Sequence, residues 1–205
     1  MQYQDTINFV LAGVGGQGTI LASDVLAEVG LEAGYDAKQA EVHGMSQRGG
    51  SVTSHVRWGR QVFSPLIALG EADILVSFEQ SEAVRFAPFL RPGGAALVSR
   101  QVIAPITVTA GSAIYPSWEM LDADLALSTQ RVVWIAALEI ARSLGNDKVS
   151  NVVMLGALST LLPVAQSIWL KVIESRVPPR FLELNRLAFQ RGCAAVQVAV
   201  AERAS

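Results

Sequence analysis

Two short runs carry the side chains and backbone groups with catalytic or binding potential. The first is Gly13-Val14-Gly15-Gly16-Gln17-Gly18, which follows the apolar run Ile7-Asn8-Phe9-Val10-Leu11-Ala12 and leads into Thr19-Ile20-Leu21-Ala22. That is the order strand, glycine turn, helix in which a G-x-G-x-x-G pattern has meaning. Gly13 permits a tight turn, Gly15 lets the backbone approach a ligand and Gly18 lets helix and strand pack. The helix N-terminus beyond them offers N–H groups and a partial positive charge to an anion. Glu41 follows Gly18 by 23 residues, where a dinucleotide-binding fold places the acid that holds its ribose hydroxyls. By itself the run fits an NAD or FAD site, another kind of phosphate or cofactor contact, or a turn whose glycines serve only packing.

The second run is Glu41-Val42-His43-Gly44-Met45-Ser46-Gln47-Arg48-Gly49-Gly50. Ser46, Gln47, Arg48, Gly49 and Gly50 bring a hydroxyl, an amide, a guanidinium and exposed backbone N–H groups together. That set suits a carboxylate or a phosphate, and a plain NAD site has no need of it. The plainer reading is a surface turn with a solvated arginine. His43 titrates near neutrality and is an acid–base candidate, although a lone loop histidine also serves as a simple hydrogen-bonding group. His55 lies in an alternating strand and reads as structural. The two histidines stand 12 residues apart with no cysteine near them, which gives a metal site no support. The catalytic candidates are therefore His43 and Arg48. The binding candidates are Gly13, Gly15, Gly16, Gln17, Gly18, Glu41, Gly44, Ser46, Gln47, Gly49 and Gly50. Glu79 and Glu82, just past a strand, lie where α/β sheets meet ligands. Capping of the next helix by Gln80-Ser81, with the acids near its positive end, accounts for them equally well.

Elements must position these runs. Residues 6–12 read as a buried parallel strand, and residues 17–34 as a helix with Gly34 at its C-terminus. Residues 37–42 read as a second strand, completing a right-handed βαβ unit. Residues 51–58 alternate as a strand with two different faces, followed by a short strand around Val62-Phe63 and a short helix from Pro65 to Gly70. Residues 72–78 form a buried strand. A helix then runs from Glu79 to about Leu90, bent near Pro88, and Arg91-Pro92-Gly93-Gly94 breaks the chain before a strand over 95–99. Residues 105–109 and 113–115 read as short strands. From about residue 117 the pattern turns helical over 130–144, 151–162, 166–176 and 179–203. Asn151 to Leu158 are apolar nearly all round, which predicts burial on several sides. The fold class expected is α/β: one domain over residues 1–205, with a Rossmann-like, mostly parallel sheet, flanking helices and a helical C-terminal part.

Composition narrows the function. Hydrophobic residues make up 51% and charged residues 17% of the 205, with 16 basic against 18 acidic. A sizeable core can form, and a nucleic-acid partner is not expected without a basic surface. The single cysteine, Cys193, can form neither an internal disulfide nor, alone, a zinc or iron–sulfur site, and reads as a small buried hydrophobe. No stretch has the roughly 20 apolar residues of a membrane span, and the polar N-terminus does not read as a signal peptide. The expectation is a cytoplasmic protein with no membrane partner. Its apolar surplus points to a subunit interface, which allows a homodimer of the isolated chain.

Taken together, Gly13 to Gly18, Glu41 to Val52 and Ser54-His55-Val56-Arg57 closely resemble the gamma-type domain of the 2-oxoacid:ferredoxin oxidoreductase family. Its indolepyruvate type is nearest in wording. The later run Asn151 to Leu158 and the length also fit. The resemblance implies oxidative decarboxylation of a 2-oxoacid, such as an aryl pyruvate, with coenzyme A as co-substrate and ferredoxin as acceptor. It places thiamine diphosphate and [4Fe-4S] clusters in a larger alpha subunit, none of them held by this chain alone, which is then inactive by itself. The glycine loops are expected to close over the partner's active site, with Arg48 supplying charge.

Overall fold

The computed structural model describes residues 6–43 and 50–204. The apolar N-terminal run forms β1, Ile7–Val14, and Gly13 to Gly18 turn it into α1, Thr19–Glu32. Gly34, with φ near 90°, ends that helix: its N–H reaches the carbonyl of Leu31 and the Tyr35 N–H that of Gly30, both at 3.0 Å. The left-handed conformation is one that glycine adopts without strain. β2, Asp36–His43, and β3, Ser51–Gly59, form a hairpin, and β4, Ala72–Ser77, follows. Next come α2, Gln80–Phe86, and β5, Leu90–Ser99. After these lie a single helical turn, α3, Ile106–Thr109, and a longer helix, α4, Trp118–Ser128. β6, Arg131–Ile135, completes a sheet of order β2-β3-β1-β4-β5-β6. The remainder is helical: α5, Ala137–Ser143, α6, Ser150–Ser159, α7, Gln166–Arg176, and α8, Leu182–Ala204.

The sheet is mostly parallel, as expected, but its β1-α1-β2 unit is split. β3 lies between β1 and β2 and runs antiparallel to both. That insertion also corrects the two-faced reading of β3: Thr53, Ser54, His55 and Val56 are all buried. An internal strand with both faces covered buries its polar positions along with its apolar ones. His55 survives there because its Nδ1 accepts the Ile67 N–H at 3.1 Å and its ring meets Phe89 edge-on at 5.4 Å.

The consecutive apolar residues of β1 serve two cores. Phe9 and Leu11 face α1 and the C-terminal helices, where Trp58, Trp169 and Phe189 also pack. Val10 and Ala12 join Leu75, Ala96 and Trp134 beneath α2 and α4. Helix α6 is buried from Asn151 to Ser159, as its all-round apolar sequence predicts. Cys193 is half-buried, its thiol directed at the Gly156 carbonyl at 3.2 Å. Burial raises its pKa, which keeps it a structural thiol rather than a nucleophile.

Several expected elements differ. The stretch 130–144 is not one helix: Arg131 to Ile135 pair in parallel with β5, because a β-branched run beside an open sheet edge gains more as a strand. Arg91 to Gly94 do not interrupt the chain but form an irregularity inside β5, where the register against β4 shifts and Gly93 adopts φ 76°. No strand forms around Val62-Phe63 and no helix over 65–70. Residues 105–109 are helical rather than extended, and 113–115 have no regular structure. The cap of α2 is Glu79, not Gln80-Ser81.

A pH prediction arises at His55. Burial lowers its pKa from the usual 6.5, so the folded protein binds fewer protons than the unfolded chain as pH falls below that value. Stability should be level above about pH 6.5 and decline as pH drops toward the lowered pKa. Protonation also removes the acceptor that satisfies Ile67. Thermal unfolding of wild type and His55→Gln across pH 7.5 to 5 should show the wild type losing the excess; parallel curves would refute it.

Candidate functional site

The glycine turn sits at the C-terminal ends of β1, β4 and β5, where sheets of this kind meet ligands. Gln17 organises it. Its Oε1 accepts the Val14 N–H at 2.7 Å, while its Nε2 donates to the Phe78 carbonyl at 2.6 Å and to Gln101 Oε1 at 3.0 Å. Both amide hydrogens are thereby committed, which leaves one acceptor lone pair for anything else. The side chain holds the turn to the ends of two further strands more than it offers itself to a ligand.

Gly18 occupies the N-cap of α1 with φ 77°, with no capping side chain and no acid in the first turn. A Cβ there would approach Asn151 Nδ2 to 2.7 Å. At Gly13 a Cβ would meet Thr19 Oγ1 at 2.8 Å and Gln17 Oε1 at 2.9 Å. Gly16, with φ 100°, faces open space. The helix dipole and its amides therefore open onto a cleft of about 540 Å³, bordered by Gly15 to Gly18, Gln101, Ile103, Arg142, Asp147, Lys148 and Asn151. Arg142 pairs with Asp147 at 3.2 Å, and Lys148 adds a second cation. Two cations against one acid, together with an uncapped helix N-terminus, suit an anionic group.

The second run is brought to the same place from the other side. Its last residue, Gly50, accepts the Gly15 N–H at 3.0 Å, and Ser51 pairs with Val14 across the β1–β3 ladder. Residues 44–49, which carry Gly44, Ser46, Gln47, Arg48 and Gly49, lie outside the described residues. His43 ends β2 opposite Val52. Glu41, opposite Ser54 on the same outer strand, is separated from β1 by β3. At about 4.8 Å per strand spacing that puts it roughly 10 Å from β1, twice the distance of a Rossmann ribose acid on an adjacent strand.

Two acids adjoin the root of the second run. Glu82 is buried, accepts a hydrogen bond from Ser51 Oγ and pairs with Arg85 at 3.1 Å. Burial raises its pKa. Glu79 is fully buried and inward-facing: Oε2 takes Ser81 Oγ at 2.7 Å and the Glu82 N–H at 3.0 Å. Its Oε1 takes the Tyr115 hydroxyl and the Ile103 N–H, the latter at 3.2 Å. Burial, then the neighbouring Glu79 carboxylate, raises the Tyr115 pKa, so the phenol stays a donor. Glu79 is thus a cap and a staple, not a ligand group.

Sequence reasoning did not find Gln101, Arg142, Lys148 or the cleft-facing role of Asn151. They lie about 80 to 130 residues beyond the turn, and no spacing rule links such positions. Among the described residues no cluster of His, Cys, Asp and Glu could hold a metal ion. Nor is any helix long and apolar enough to cross a membrane.

Comparison with known proteins places this geometry. Residues 8–195 match the family described as pyruvate ferredoxin/flavodoxin oxidoreductase. The indolepyruvate oxidoreductase subunit IorB of Thermococcus kodakarensis is 36% identical over 196 residues, covering 93% of this chain and 96% of that subunit. The gamma subunit of a keto/oxoacid ferredoxin oxidoreductase from Geobacter sulfurreducens superposes with a TM-score of 0.72 at 26% identity, covering 95% and 98% of the two chains. A 2-oxoglutarate:ferredoxin oxidoreductase from Magnetococcus marinus, solved with 2-oxoglutarate, coenzyme A and succinyl-CoA bound, also gives a TM-score of 0.72. That likeness, at 19% identity, is one of fold, and it spans 95% of this chain but 32% of the other.

Proposed function

The chain belongs to the pyruvate ferredoxin/flavodoxin oxidoreductase family, and from that membership we propose that its two glycine-bearing runs form one wall of an active site completed by a larger subunit. It is a small subunit of a 2-oxoacid:ferredoxin oxidoreductase, similar to the IorB subunits, and its partner is a larger subunit. The substrate in this reading is an aryl pyruvate such as indolepyruvate, converted to an acyl-CoA with ferredoxin as acceptor. In this reading thiamine diphosphate and the [4Fe-4S] clusters belong to the larger subunit; one half-buried cysteine offers no cluster ligand set of its own. The chain alone is inactive in this reading, and the complex is cytoplasmic.

The observation that carries the reading is the junction of the two runs. The Gly15–Gly50 hydrogen bond brings the root of the Arg48 loop against the glycine turn, beside a cleft bordered by Arg142 and Lys148. The anion such a wall would meet is a phosphate of coenzyme A, the diphosphate of the thiamine cofactor or the 2-oxoacid carboxylate. A stand-alone NAD or FAD site is not favoured, because β3 separates Glu41 from the glycine turn and both hydrogens of the Gln17 amide are already engaged.

Arg48→Ala in the reconstituted complex tests the reading. A lost charge-assisted contact is worth about 1.5 to 3 kcal/mol, so kcat/KM for the 2-oxoacid or for coenzyme A should fall roughly 10- to 100-fold. A raised KM for the 2-oxoacid or for coenzyme A identifies that ligand's anion, whereas a lowered kcat with both KM values unchanged points to the cofactor diphosphate. Unchanged steady-state kinetics for both would sink the proposal.

A further inference from the structure

From Gln101 to Trp118 the chain runs 18 residues without a charged side chain. A solvated surface is about 25 to 35% charged, so roughly five charges would be expected there. In their place stand exposed apolar groups: Val102, Ile106, Ile114 and Trp118, with Ile106 at 82% and Ile114 at 94% exposure. Met120, also exposed, follows in the first turn of α4 beside the acidic Glu119. Absence of charge in the centre with charge at the rim is the composition of a protein interface, not of a free surface.

The segment is also held in advance of any binding. The Ile103 N–H and the Tyr115 hydroxyl both end on the same oxygen, Glu79 Oε1. One buried carboxylate therefore closes the base of the excursion between residues 103 and 115, and Ile106 and Ile114 lie within the closed segment. A preformed apolar surface loses little entropy on binding and suits a permanent partner better than a transient one.

Its position names the occupant. Gln101 and Ile103 border the glycine cleft, and Gln101 is hydrogen-bonded to Gln17, so a protein seated on this segment reaches the cleft's rim. The matched IorB relative is a separate subunit covered over 96% of its length, whereas in the Magnetococcus marinus enzyme the same fold makes up 32% of one chain. What the fused arrangement can supply in the same chain, the separate arrangement must supply from a second one.

We propose that the surface carried by residues 102–120, centred on Ile106 and Ile114, is where the larger subunit docks, presenting an apolar patch with a basic margin. The proposal rests on the partnership stated under Proposed function and adds the surface that makes it.

The test uses the full chain with its co-expressed larger subunit. In an Ile106→Glu/Ile114→Glu double variant both changes are solvent-facing, so thermal unfolding of the isolated chain should match wild type. Affinity for the larger subunit, measured by calorimetry, should fall more than about thirtyfold. Phe63→Glu, at an 84% exposed apolar residue in the connection after β3, should leave that affinity unchanged. Wild-type affinity in the double variant would overturn the proposal, as would loss of affinity in Phe63→Glu alone. Loss only of self-association of the isolated chain, read by sedimentation, would assign the face to a second copy and overturn it too. Failure of the wild-type pair to associate would instead remove the partnership itself, a result separable from any variant's.

Discussion

Alanine at Gly156 or Gly192 is expected to cost about 3 kcal/mol or more of folding stability, the upper end of what overpacking a core produces. The two glycines lie where α6 and α8 cross. A Cβ on Gly156 would come within 2.1 Å of the Phe189 carbonyl oxygen, and one on Gly192 within 2.0 Å of the Val153 carbonyl oxygen. Both obstacles are backbone. No rotamer change relieves them, so the helices must separate. The Cys193 thiol of α8 ends on the Gly156 carbonyl of α6 at 3.2 Å, and separation stretches that bond as well. For a chain of this size 3 kcal/mol corresponds to roughly 6 to 12 °C in Tm. The displacement should also reach the candidate site, because Asn151 near the start of α6 borders the glycine cleft and packs against Gly18. Scanning calorimetry checks the first part. A Tm within 2 °C of wild type for both variants would mean that the crossing is looser than described.

Glu79→Ala is expected to cost a similar amount, about 3 kcal/mol or more, since each buried donor left unsatisfied costs about 1 to 3 kcal/mol. The carboxylate accepts from Ser81 Oγ, the Glu82 N–H, the Ile103 N–H and the Tyr115 hydroxyl. Its loss leaves these donors facing a small apolar group and removes the cap of α2 as well. Glu79→Gln keeps the shape but turns one acceptor oxygen into a donor and should fall between. The test that separates a staple from a general core residue is local. Hydrogen exchange at residues 103–115 should accelerate in Glu79→Gln while β1 and β4 keep their protection. Uniform acceleration would argue against the staple.

The framework on which these predictions stand is legible in local sequence pattern. The largely apolar runs at 7–12 and 72–78, too short for buried helices, read as strands covered on both faces, and α1 followed from the glycine turn and the three- and four-residue spacing beyond it. The same regularity marked the helices at 151–162 and 166–176, and the wording of the two glycine runs placed the chain in its family. Local pattern did not carry strand order. The hairpin of β2 and β3 folds back beside β1, and that pairing moves Glu41 away from the turn and turns Ser54 and His55 inward. A strand inside a helical-looking stretch, Arg131 to Ile135, also depended on β5 being there to pair with it.

The site divides along the same line. Its glycines are visible in the sequence because a backbone turn is a local requirement. Its cations, Arg142 and Lys148, and the closure of residues 103–115 on Glu79 arise from contacts between distant parts of the chain, which form when the sheet and helices pack. Short-range conformational preference is encoded residue by residue, whereas a cleft at the ends of several strands exists only once the sheet has ordered them.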